Sequence, residues 1–287
     1  MLKRAILQSR ARKRFLIGLL FPVLLPLSAH SQSPANADST LSGIVDRLLA
    51  SEARQSEKIS DVRMDSELLE RRLKGNDEIK EEKRFIKKIY FHKIPDSARK
   101  MEVYERYLEY YKDGEKQSAA ELADVVREKI KKLKKGRGDD KARLVTDVFL
   151  PENAEFYSLS YEGIVDSAVD NYTCYIIKVR AKKNKDDMKE RINAEFYIDT
   201  ASARPVFVTF RPAKFKGNMM FKFKKLEMSL EFKEYQPDVW MPVRFHLRGK
   251  AKAALFFGVD FEADETFSNP QFNTGVKDIP FAELMGT

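Results

Sequence analysis

Apolar and charged residues alternate along three successive segments of the C-terminal half. The positions between the apolar residues are mostly charged, with Glu227, Arg244 and His246 among them. A period of two places alternate side chains on opposite faces of a strand, so this pattern predicts a sheet with one apolar face and one solvated face. The apolar positions that share this spacing are Leu226, Met228, Leu230 and Phe232, then Val243, Phe245 and Leu247, then Leu255, Phe257, Val259 and Phe261.

Turn signals divide the chain after Leu144 into one strand-like segment after another. They fall at 184–187, 200–203, 236–238 and Gly249, at distances typical of hairpins. Consecutive strands joined by short turns form an antiparallel meander. We predict strands near 158–161, 172–180, 192–198, 206–210, 219–235 with a bulge at 224–225, 241–248 and 251–267.

Two segments have the spacing of amphipathic helices. Ser118 and Glu121 form a capping box, an apolar stripe follows, and Gly136 closes the segment. An earlier helix capped by Ser39 or Thr40 is predicted by apolar residues at intervals of three and four. Residues 59–111 fit two or three long antiparallel strands, with helix as the alternative.

One apolar face and two clear helices predict the fold class. The fold is expected to be α+β and mostly antiparallel β, with a strongly curved half-barrel sheet and helices covering its apolar concave side. An ordinary, fully packed β core remains the alternative on composition alone.

The first 31 residues have the features of a secretory signal peptide. Basic residues precede an apolar stretch from Phe15 to about Leu27, and small residues flank a cleavage site near Ser31. A retained N-terminal anchor is the alternative. The segment carries six of the Lys and Arg residues and no acidic ones, so its removal lowers the formal charge from +9 to +3. We therefore expect no nucleic-acid partner. The predicted domains are a signal peptide at 1–31, a flexible lead at 32–38, one domain at 39–272 and a C-terminal tail at 273–287.

The sequence lacks the motifs that carry common catalytic chemistry. It has no nucleophile elbow and no glycine-rich phosphate loop, and His92 and His246 have no neighbouring metal-ligand pattern. We expect no catalytic residues, no metal and no cofactor. The single cysteine, Cys174, is expected to be a small buried hydrophobe, so the core alone must stabilise an exported chain.

Three short motifs carry a resemblance to a known family. They are Glu195-Phe-Tyr-Ile-Asp-Thr200, Arg204-Pro-Val206 and Val239-Trp-Met-Pro242. Together they resemble the C-terminal half of the periplasmic lipoprotein-localisation superfamily, the LolA/LolB-like fold, and especially its outer membrane lipoprotein-sorting branch. The resemblance covers about residues 40–270. It implies a half-open antiparallel β barrel capped by helices, with an apolar cavity for acyl chains, and it favours strands over 59–111.

The resemblance also implies a function, a location and partners. The chain would be a periplasmic monomer that carries lipids or lipoproteins, with their acyl chains as ligand and membrane proteins as donor and acceptor. An envelope-stress sensor with a lipid-binding half-barrel is the alternative. The acceptor branch of the family is lipid-modified on a cysteine just after the signal peptide, and this chain has none there, so a soluble protein is expected. The nearest candidates for the cavity arginine of the carrier branch are Arg204 and Arg211. The expected lipid-binding residues are Phe196, Ile198, Phe207, Phe221, Phe223, Met228, Leu230, Phe232, Phe245, Leu247 and Phe257.

Overall fold

The fold is a single large sheet with two helices, seen in a computed structural model that describes residues 34–74, 76–93, 100–136, 142–143, 145–166, 171–182, 191–215, 221–253 and 257–276. The predicted signal peptide lies outside these residues. Helix α1 spans Pro34–Lys58 and α2 spans Ala119–Gly136, and two short 3₁₀ helices span Val145–Phe149 and Pro151–Asn153. The strands are β1 (Asp61–Leu73), β2 (Ile79–Lys93), β3 (Lys100–Lys112), β4 (Glu115–Lys116), β5 (Ala142–Arg143), β6 (Tyr157–Asp166), β7 (Thr173–Ala181), β8 (Ile192–Asp199), β9 (Pro205–Pro212), β10 (Phe221–Gln236), β11 (Val239–Ala253) and β12 (Phe257–Phe272).

All strand pairs in the described part of the sheet are antiparallel. The strand order is β4-β3-β2-β1-β12-β11-β10-β9-β8-β7-β6, with β5 paired to β3. Strand β1 therefore joins the N-terminal meander to the last strand of the C-terminal one. The sheet is open and curved rather than closed, and the predicted fold class is confirmed.

The described part of the ambiguous region 59–111 forms three strands, as the resemblance favoured. Strand β1 pairs with β2 from Asp61 to Leu73, and β2 pairs with β3 from Lys83 to Lys93. Alternation of burial along β2 accounts for the mixed periodicity, because Phe85, Lys87 and Ile89 are buried on one face while Arg84 and Lys88 on the other are only partly buried.

Both predicted helices are present. The capping box of α2 is confirmed, because the Ser118 hydroxyl accepts from the Glu121 N–H and the Glu121 carboxylate accepts from the Ser118 N–H. Helix α1 begins at Pro34, before the predicted cap, so part of the predicted lead is helical. Neither described helix contains a stretch apolar and long enough to cross a membrane.

The predicted turn at Gly249 is wrong, because Gly249 lies inside β11 opposite Phe261. A Cβ atom at Gly249 would lie 2.3 Å from the Phe261 ring, so the close approach of this ring explains the glycine. The predicted bulge in β10 is confirmed by a register shift between Phe223 and Lys225.

The two faces of the sheet differ as predicted. We call the face that carries Leu230 and Phe245, which are directly paired, the inner face; both helices pack on it. The opposite, outer face carries cross-strand ion pairs such as Arg244–Asp264 and Lys250–Asp260. Cys174 is buried, as predicted.

Candidate functional site

A cavity of about 540 Å³ lies between the C-terminal half of α1 and the inner face of the sheet. Its walls include Gln55 of α1, Val62 of β1, Phe91 of β2 and Val148 of the first 3₁₀ helix. Strands β9, β10 and β11 complete the floor. The cavity is therefore built by elements from both meanders, at the place where β1 joins them.

Two of the predicted lipid-binding residues line this cavity, namely Leu230 and Phe232 of β10. They lie on one face of the strand because they are two residues apart. Leu230 is also paired with Val208, which is fully buried, so the floor continues into the protein core. In β10, the apolar positions of the sequence alternation therefore include residues that line the cavity.

Phe196 and Ile198 lie on the inner face but belong to the packed core. Both are fully buried with Ile44 and Leu48 of α1. The Phe196 ring is 4.7 Å from that of Phe149, centroid to centroid. The N-terminal half of α1 therefore fills this part of the inner face with the protein's own side chains.

The other predicted residues lie away from the cavity lining. Phe207 is on the outer face, paired with Tyr197, and their ring centroids are 5.7 Å apart. On the inner face, half-buried residues continue along β10 and β11 beyond Leu230. These are Met228 and Leu247, which are paired, Phe245, and Phe223. The side chains of Phe221 and Phe257 lie outside the described part of the chain.

Several cavity residues were not among the predicted lipid-binding residues. Trp240 is 5% exposed and lines the cavity with Met241. Ile59 and Val62 come from the N-terminal part of the chain, and they reach the cavity because β1 pairs with β12. The apolar alternation of β1 could have marked Val62, but a contact between residues so distant in sequence has no local signal.

The Asp-Thr and Arg-Pro motifs form a turn that binds α1. Asp199 closes the β8–β9 turn by accepting hydrogen bonds from the Ser202 N–H and hydroxyl, both at 2.7 Å. Arg47 of α1 donates to the carbonyl oxygen of Thr200 at 2.8 Å. Arg204 donates to the carbonyl oxygen of Ser51. The turn thus holds the middle of the helix over the sheet.

The Trp-Met-Pro motif begins β11 and binds the end of α1. The Gln55 amide donates to the Trp240 carbonyl oxygen and accepts from the Trp240 N–H, both at 3.0 Å. Lys58 forms an ion pair with Asp238 in the preceding turn at 2.8 Å. The motifs that carry the family resemblance therefore hold α1 above the cavity.

Arg204 is the most buried charged group in the cavity wall. Arg204 is 5% exposed, and its guanidinium donates to the carbonyl oxygens of Ser51 and Asp238. Burial lowers the pKa of the Arg204 guanidinium to about 10, so the group stays charged at neutral pH.

Under α2 the inner face is closed by packing and by a buried ion cluster. Leu68, Phe85 and Tyr110 form a core with Leu122 and Val125 of α2. Beside them Lys87, 1% exposed, lies 2.5 Å from Glu105 and 2.9 Å from Glu265. The hydroxyls of Tyr107 and Ser66 donate to these two carboxylates, so the cluster is extensively hydrogen-bonded.

Comparisons with known proteins add little. No family model matches the chain, and no curated protein matches it. Among solved structures, a DUF1329 family protein from Desulfovibrio piger is similar, with a TM-score of 0.43 and 9% sequence identity. The similarity covers 85% of this chain and 96% of that chain. It is too distant to support an argument about the site.

Proposed function

We propose that this protein binds acyl chains in the cavity under α1 and carries lipids or lipoproteins in the periplasm, as its resemblance to the LolA/LolB-like superfamily implies. The cavity itself is the observation that carries the proposal. Its volume of about 540 Å³ falls within the range of about 300–1,000 Å³ for ligand pockets. Burial of hydrocarbon contributes about 0.8 kcal/mol per methylene, so such a site needs no reactive group.

The distribution of polar groups around the cavity fits an amphipathic ligand. Among the described lining residues, β9, β10 and β11 contribute only apolar ones. Polar side chains come from α1, as Glu52 and Gln55, and from neighbouring positions that include Lys93 and Arg204. An acyl chain would lie along the strands, and the polar part of the lipid would lie at α1.

A fluorescent fatty acid tests this arrangement through a pair of matched variants. Leu230→Trp places a bulky ring in the cavity, whereas Met228→Trp changes the same face of β10 two residues away, outside the lining. We expect Leu230→Trp to weaken binding by about tenfold or more, equivalent to about 1.4 kcal/mol, and Met228→Trp to have a smaller effect. Equal weakening in both variants would contradict the assigned site.

The natural ligand is tested on protein purified from its native envelope. Lipids extracted from the wild-type protein and identified by mass spectrometry should include acylated species in a fixed molar ratio to the chain. The Leu230→Trp variant, purified in parallel, should retain less of the same species. A wild-type protein that carries no lipid and binds no fatty acid would falsify the proposal.

A further inference from the structure

We propose that the outer face of β11 and β12 holds a site for a divalent transition-metal ion, formed by His246, Glu262 and Asp264. One ligand atom from each of these side chains lies within 4.8 Å of the other two. The site lies on the face opposite the cavity, because His246 follows the inner-face residue Phe245 along β11. It is therefore independent of the proposed lipid function.

Strand register brings the three residues together. His246 is directly paired with Asp264, and Glu262 lies two residues from Asp264 along β12, so all three point to one face. His246 lies on a different strand from the two carboxylates, and the three positions match no local metal-binding motif. Because two long, paired strands fix their backbones, the ligand positions are held without a flexible loop.

The distances are close to those of a metal centre. His246 Nδ1 lies 3.6 Å from Asp264 Oδ2 and 3.9 Å from Glu262 Oε1. Zinc–ligand bonds of about 2.0–2.2 Å at a tetrahedral angle place two ligand atoms about 3.4 Å apart. The two distances from His246 exceed this value by about 0.2 and 0.5 Å, so small side-chain movements would bring Nδ1 and each carboxylate to bonding distance of one ion.

The imidazole of His246 shows a second sign of a bound group. Its Nδ1 atom is buried and has no hydrogen-bond partner among the described residues, although it lies between two carboxylates. Buried polar atoms are seldom left in this state, since an unsatisfied donor or acceptor costs about 1–3 kcal/mol. A bond from the neutral imidazole to a metal ion would satisfy Nδ1.

Arg244 is compatible with such an ion. It donates from Nε to Asp264 Oδ1 at 2.9 Å and from Nη2 to Oδ2 at 2.5 Å. A carboxylate oxygen has two lone pairs, so Oδ2 keeps one for a metal ion while Arg244 orients the group. Arg71 Nη1 is 3.9 Å from Glu262 Oε1, too far for a strong hydrogen bond.

The donor set favours a particular class of ion. One imidazole with two carboxylates suits Zn²⁺, Mn²⁺ or Fe²⁺, whereas Ca²⁺ and Mg²⁺ favour oxygen ligands alone. The two carboxylates and the Arg244 guanidinium together carry a net charge of −1, which favours a cation at this position. Three protein ligands would leave a fourth position of a tetrahedral centre for water or another donor.

The test is titration of untagged, chelator-treated protein with Zn²⁺ in competition with a chromophoric chelator. We expect one Zn²⁺ per chain, with affinity reduced by about tenfold or more in His246→Gln and in Glu262→Gln. His92→Gln is the matched control, since His92 lies on β2, and it should bind as the wild type does. Zinc should also raise the melting temperature of the wild type and His92→Gln but not of the two site variants.

The alternative to a metal site is an ion pair between protonated His246 and the two carboxylates. In that case Zn²⁺ would not bind saturably, or would bind equally well to His246→Gln. Either result overturns the proposal, as does loss of binding in His92→Gln alone. Circular dichroism of the metal-free variants separates loss of the site from loss of the fold, and Glu262→Gln gives the answer if His246→Gln does not fold.

Discussion

The two helices cover the same face of one curved sheet but leave different interiors beneath them. The C-terminal half of α1 is held at its sides by turns, and a cavity of about 540 Å³ remains under it. Helix α2 instead packs Leu122 and Val125 directly against the buried cluster of Leu68, Phe85 and Tyr110. Space for a ligand therefore depends on how a helix is attached, rather than on how apolar the sheet is.

The two regions also differ in the partners of their buried charged side chains. Under α2, Lys87 is enclosed by carboxylates at 2.5 and 2.9 Å. Beside α1, Arg204 donates to main-chain carbonyl oxygens, and no carboxylate of the described residues lies within ion-pair distance of it. The α2 region is thus stabilised as a closed core around an enclosed ion cluster, whereas α1 is attached by hydrogen bonds to main-chain groups and by the exposed Lys58–Asp238 ion pair.

Removing the buried lysine should have the largest effect. Lys87→Met would leave Glu105 and Glu265 as neighbouring carboxylates without their cation, at a cost of about 3–5 kcal/mol in the free energy of unfolding. Urea denaturation measures this loss. Binding of a fluorescent fatty acid by the remaining folded protein should be retained, because the cavity lies under α1.

Lys88→Met provides the matched control. Lys88 pairs with Asp65 at 2.7 Å but is 25% exposed, so its removal should cost less than about 1 kcal/mol. If both variants lose the same stability, the ion cluster does not distinguish the α2 region.

The sequence predicts the local features of both regions well. The capping box of α2 and the alternation around Leu230 need only residues that are close along the chain. The cavity and the ion cluster depend on contacts between strands that are distant in the sequence. Val62 lines the cavity, and Lys87 forms an ion pair with Glu265, because β1 pairs with β12. The Gly249 prediction failed for the same reason, since the Phe261 ring that excludes a side chain there comes from another strand.

A smaller effect is expected from the attachment of α1. Gln55→Leu removes both hydrogen bonds to the Trp240 main chain, at a cost of about 1–2 kcal/mol in the free energy of unfolding. Fatty-acid binding should change as well, because Gln55 lines the cavity. The control is Glu57→Leu, an exposed position on the same helix. Unchanged binding and stability in Gln55→Leu would show that this attachment does not maintain the cavity.

Part of the pH dependence of stability should come from the α2 region, because its carboxylates are paired with a buried cation. Burial raises the pKa of Glu105, but Lys87 and the Tyr107 hydroxyl outweigh this effect and hold the pKa below its ordinary value. Burial likewise lowers the pKa of Lys87, and the two carboxylates more than offset it. The charged pair is thus favoured in the folded state.

The sign of the effect follows from proton binding. Below the unfolded pKa of about 4.3 the unfolded chain binds more protons at Glu105 than the folded chain does, so folding stability falls as pH falls through the folded pKa. Glu105→Gln removes this contribution, which is about 1 kcal/mol or less because its side chain is 31% exposed. Unfolding free energies measured from pH 6 to pH 3, at about one-unit steps, should therefore decline less steeply in Glu105→Gln than in the wild type. The same slope in both proteins would mean that acid acts elsewhere, and the buried ion cluster would not distinguish the α2 region from the α1 region.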